Sequence, residues 1–159
     1  MVTDQLPGGS LQDIVDRAQH AATDEWPQIW FSLAEHQWQS LVLVPSVASV
    51  SAATSARALG AVGNTYEERS VLVIEAEEIA PSSAREVIRR LKERNSAGER
   101  TIVVVSSPML DVSAIPIARA VDAAVLVVPL GAAVLRDARR VMGLIGRDRF
   151  IGAIATRTI

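Results

Sequence analysis

Five short apolar runs rich in β-branched residues constrain this chain more than any other feature: residues 41–44, 71–74, 101–105, 124–128 and 150–155. Each is continuous, not alternating apolar with polar. A strand with one wet face alternates at a period of two, so continuous runs predict strands buried on both faces. Helical patterns fill the gaps, at about 52–62, 83–95, 112–120 and 132–145. Strand followed by helix, repeated, implies right-handed crossovers and a parallel sheet with helices on both sides. The expected architecture is therefore α/β: a single domain in three layers, a parallel sheet flanked by helices, Rossmann-like. Of 159 residues, 49% are hydrophobic but only 4% aromatic, so Val, Ile, Leu and Ala must supply the core. That length supports one ordinary domain.

Ahead of the first run, residues 1–9 read as a disordered tail, and the domain proper as 10–159, with N-terminal helices over about 10–37. Ser10 suits an N-cap, and Leu11, Ile14, Val15, Ala18 and Ala22 then recur at helical spacing. A second helix is expected from Asp24 to Gln37, with Pro27 in its first turn and Ile29, Trp30, Leu33 and Ala34 as its apolar stripe. Ser83 and Glu86 read as a capping box. Gly98 and Gly146 fall just past helix ends, where a left-handed residue is useful.

Global composition excludes several classes. A net charge of −2 does not point to nucleic acid. The absence of Cys excludes disulfides and thiolate metal sites and fits a cytosolic location. No stretch reaches about 18 apolar residues, and the first ten residues lack a basic region followed by an apolar run, so neither membrane insertion nor a signal peptide is expected. A role at the inner membrane would require a partner to recruit the protein there.

In open parallel sheets, ligands bind beyond the carboxyl ends of the strands. Here those ends lead into residues 45–54, a loop of small residues; into Glu75, Glu77 and Glu78; into Ser106 and Ser107; and into Pro129 to Gly131. The segment PMLDVSAIPIARAVDAAVLVVPL with the helix after it, FIGAIATR, and VLVIEAE follow one another as do the strand exit and "ARLVDGVLLVV", the closing "LLGVVLNR", and "VLLIDAD" in one group of proteins. On these segments the chain resembles the cytoplasmic tyrosine kinases of bacterial capsule and exopolysaccharide synthesis, relatives of the MinD/ParA P-loop ATPases. The resemblance runs from about Glu25 to Arg157 and is best from Ser107 to Arg157.

It implies a P-loop NTPase-like fold and a nucleotide site whose key residues are missing. With the family's "GEGKST" laid on Ser49 to Thr54, Ala52 takes the Lys position, Ala53 takes the magnesium hydroxyl, and only Thr54 keeps its type; Ser49 and Ser51 replace glycines. No Lys precedes Lys92, so sliding the alignment does not help. Glu75 stands for the second-strand Asp, on a longer arm. The third-strand Asp falls on Val105, or on Ser106 in a shifted alignment. Tyr66 is the only Tyr, so the family's C-terminal tyrosine cluster is missing. The family's ring-forming Glu-x-x-Arg-x-x-Arg motif maps to Glu25, Gln28 and Phe31, with both arginines lost.

Phosphoryl transfer is mainly positioning and charge neutralisation, and loss of one donor can cost about 3–4 kcal/mol of transition-state stabilisation. Together these losses imply a pseudoenzyme: a non-catalytic protein without cofactor or metal. It would regulate or assemble an exopolysaccharide machine through a membrane co-polymerase or another synthesis or export subunit, with homo-oligomerisation possible. The alternatives are a weak nucleotide-binding ATPase or tyrosine kinase with an altered phosphate loop, or a MinD/ParA-like positioning factor.

Other features read more simply. The arginines at 85, 89, 90 and 94 with Lys92, and those at 136, 139, 140, 147 and 149, have acids nearby and fit solvated faces, with an acidic partner or anionic lipid as the alternative. His20 and His36 lack ligand spacing, and Ser106 and Ser107 lack a partnering His. Arg157, at a strand end, reads as structural. Trp26, Trp30, Phe31 and Trp38 concentrate the large aromatics and read either as core or as an anchor for a partner or second subunit.

Overall fold

A computed structural model describes residues 25–132 and 134–157. The expected tail over 1–9 and the helix beginning at Ser10 lie outside them. The chain is helical at residues 25–34 (α1) and then enters β1 (Ser40–Pro45). There follow α2 (Ala53–Tyr66), β2 (Leu72–Ala76), α3 (Pro81–Ser96), β3 (Thr101–Val105), α4 (Ala114–Ala120), β4 (Ala123–Leu130), α5 (Leu135–Ile145) and, after a single 3-10 turn at Arg147–Arg149, β5 (Phe150–Arg157). All four strand pairings are parallel, in the order β2-β3-β1-β4-β5. The result is a single Rossmann-like α/β domain of three layers.

The continuous apolar runs are explained by where they sit. Every residue of β1 and β3 is buried. The expectation of burial on both faces is corrected for the two edge strands: β2 is only partly buried, and in β5 Ile154 alone is buried, because an edge strand has a neighbour on one side only. Leu41, Leu43, Ile102, Val104, Val125 and Val127 face α1 and α2, while Val42, Val44, Val103, Val105, Ala124 and Leu126 face α3, α4 and α5. At the sheet's amino end, Asp122 Oδ2 accepts hydrogen bonds from the Gln39 and Ser40 amides at 2.7 and 3.1 Å, tying the start of β1 to the entry of β4.

The aromatic stretch resolves into core and surface. Trp30 and Trp38 are 1% and 2% exposed and meet edge to face at 5.8 Å. The Arg100 guanidinium lies 4.5 Å from the Trp38 ring centre. Trp26 is half-buried against the same cluster. The anchor reading is therefore corrected for Trp30 and Trp38, which spend their area inside the domain. Phe31 alone is exposed, against Tyr66 at 4.9 Å. Gly63 permits this packing, since a Cβ there would come within 2.7 Å of the Trp30 ring.

Helix ends also differ from expectation. No capping box forms at Ser83, because α3 starts two residues earlier with Pro81 at its head and Ala80 as N-cap. Glu86 instead bonds Arg89, which also bonds Glu93. The hydrogen bond from Arg89 holds the Glu86 carboxyl below its ordinary pKa. The basic face of α3 is in this part its own ion-pair ladder. Gly98 and Gly146 do close their helices at positive φ, 71° and 120°.

Candidate functional site at the carboxyl edge of the sheet

Because the sheet is parallel, the loops after β1, β2, β3 and β4 all emerge along one edge. The loop after β1 leads to α2 on one face of the sheet, and the loop after the adjacent β3 leads to α4 on the other. Neighbouring strands whose connections diverge in this way open a crevice between them. A cleft of about 310 Å3 lies there, lined by Ala48, Ser49, Val50, Ser51, Glu77, Glu78, Ser106 and Leu110.

The sequence expectation placed eight residues at this site. Ser49, Ser51 and Ser106 line the cleft together. Thr54 is exposed in the first turn of α2. Ala52 and Ala53 are 0% and 7% exposed and pack into the core beneath α2, and Val105 is fully buried on the opposite face of the sheet. Glu75 does not follow β2 but lies within it, since the strand runs to Ala76, and its carboxylate pairs with Arg57 of α2 at 2.6 Å. Arg57 was not foreseen: it is 18 residues from Glu75, and only the crossover of α2 beside β2 brings them together.

The start of α2 carries its own acceptors. The Ala53 amide donates to Ser51 Oγ at 3.1 Å, and the Ser51 hydroxyl donates to Glu77 Oε1 at 3.0 Å. A helix N-terminus attracts anions through its free amides and dipole. Here a carboxylate of the same chain stands at that end. On the other wall, Ser106 Oγ accepts from the Glu78 amide at 3.0 Å. Glu78 is the only non-glycine residue at positive φ among the described residues, at 52°. That conformation costs a side-chain-bearing residue of the order of 1 kcal/mol, and the bond from Ser106 helps to hold it. The Glu77–Ser51 link and the turn at Glu78 were not legible in sequence; three glutamates after a strand carry no signal of which one folds back.

The chain matches no protein-family model and no curated protein. A second groove, of about 360 Å3, runs between α1 and the edge strand β5, with Ile29, Leu33, Ile151 and Ile154 in its walls. Glu25, Gln28, Ser32 and His36 also line it. Among the described residues no helix is long and apolar enough to cross a membrane.

Proposed function

We propose that this protein is a non-catalytic interaction module on a nucleotide-binding type of fold. The observation that carries the reading is the acidic filling of the crevice: Glu77 is coupled through Ser51 to the start of α2, with Glu78 beside it. A nucleotide tail seated at that helix end would face these carboxylates with no Lys to offset them. Like charges repel at close range, less so where water screens them, and the half-buried Glu77 is screened less than the exposed Glu78. The buried methyls of Ala52 and Ala53 add neither charge nor a magnesium ligand. The resemblance to the exopolysaccharide tyrosine kinases supports placing the module in the regulation or assembly of a polysaccharide synthesis or export machine, recruited by a membrane subunit.

Calorimetric titration of ATP and ADP at millimolar concentration, with and without magnesium, tests the non-catalytic part. The expected result is no heat and no thermal shift. Magnesium-dependent binding that disappears in Thr54→Ala would overturn it. Substituting Glu77→Gln removes a charge while keeping an acceptor for Ser51, so any weak anion affinity is expected to rise in that variant.

A further inference from the structure

One wall of the groove beside the edge strand is a helix stripe. Glu25, Gln28, Ile29, Ser32, Leu33 and His36 line it along α1, at the spacing of a single helical face. Ile151 to Ile154 of β5 form the other wall. Ile29 and Ile151 are only half-buried there, and Gly152 and Ala153 are exposed. β5 is an edge strand whose one pairing is with β4. Natural sheets charge, bend or cover a free edge. β5 has no charged residue before Arg157 and no proline, and its register shift against β4 falls at its first residues. That leaves covering as the protection for its middle.

The chain itself has a segment of matching pattern and length. Glu25, the first described residue, lies in the groove, so the residues before it reach the groove without crossing the fold. Leu11, Ile14, Val15, Ala18 and Ala22 share one helical face, with Asp13, Asp16, Arg17 and His20 off that face. Thr23 and Asp24 are left as the link to α1, which is enough for two antiparallel helices. As a helix, residues 11–22 would span about 18 Å, beside about 15 Å for α1.

From this we infer that residues 11–22 fold back as a helix along α1 and seat Leu11, Ile14, Val15 and Ala18 in the groove. The occupant is the chain's own segment and not a second copy. A short tether holds it at the mouth of the groove at an effective concentration that a free chain does not reach. Seated there, it covers the open edge of β5 and shuts it to strand addition by other chains. The groove lies apart from the crevice between β1 and β3, so the inference does not rest on the function proposed above.

Disulfide trapping tests this, because the chain has no Cys of its own. The full chain carrying Ala18→Cys and Ala153→Cys is compared with one carrying His20→Cys and Ala153→Cys, whose first thiol sits on the other side of the helical wheel. A disulfide needs Cα atoms roughly 4.4–6.8 Å apart, so under mild oxidation the first pair is expected to close within one chain at least about tenfold faster than the second. Val15→Cys with Ser32→Cys repeats the test on the α1 wall, should Ala153→Cys disturb folding. Ile14→Asp alone should lower the melting temperature by roughly 4–8 °C, and Asp13→Asn should leave it unchanged. Equal closure of the first two pairs, the behaviour of a free tail, overturns the inference. So does a disulfide-linked dimer in place of the intrachain bond, which would put a second copy in the groove, or an Ile14→Asp variant that melts with the wild type.

Discussion

Replacing Trp30 by Ala separates a core tryptophan from a binding anchor. The indole is 1% exposed, meets Trp38 edge to face, lies 5.7 Å from the Arg100 guanidinium and fills the space above Gly63. Buried Trp→Ala substitutions cost about 3–5 kcal/mol in lost transfer energy and residual cavity. The aromatic pair accounts for about 0.5–1.5 kcal/mol of interaction beyond area alone. The neighbours here are a strand-backed helix and a second ring, which collapse poorly, so the upper half of the range is expected. For a domain of this size each kcal/mol moves the midpoint by about 2–4 °C, which gives a fall of roughly 10–15 °C. Thermal unfolding followed by circular dichroism measures it, with sedimentation on the same samples. Phe31→Ala, at a half-exposed position, should cost less than about 1 kcal/mol. If Trp30→Ala instead melts within about 2 °C of wild type while losing an association, the assignment of this ring to the core is wrong.

Two further substitutions probe the same framework. Gly63→Ala should destabilise by about 1–3 kcal/mol in a chemical-denaturation series despite the better helix propensity of Ala, because the added methyl meets Trp30 and Val71 below 3 Å; a neutral or stabilising result would show that the helix can back away. Asp122→Ala removes the carboxylate that accepts from the Gln39 and Ser40 amides and should cost about 1–2 kcal/mol, discounted for exposure. Hydrogen exchange is expected to accelerate at those two amides first, and unchanged protection there would refute the link.

Much of the architecture could be read from residues alone. Continuous apolar runs marked the strands, and β1 and β3 inside the sheet are covered on both faces as the pattern requires, whereas the same pattern overstated the burial of the edge strands β2 and β5. Gly98 and Gly146 were legible because few other residues hold positive φ cheaply. Local rules failed where tertiary contact decided. Ser83 and Glu86 satisfy a capping pattern, yet Pro81 starts the helix earlier, its fixed φ suiting a first turn. The two readings of the tryptophans have the same sequence signature, and only packing against α2 and the sheet separates them.

The candidate site divides along the same line. That no Lys precedes Lys92 and that alanines stand at 52 and 53 are facts of the sequence. That Glu77 reaches the head of α2 through Ser51 and that Glu75 is held by Arg57 are decided by the strand order. A right-handed crossover rule gives parallel strands but leaves open which strand lies beside which. Side chains 18 or 26 residues apart meet only once α2 has crossed to β2. The chain's own alphabet thus determined the layers. Tertiary packing decided which side chains line the crevice.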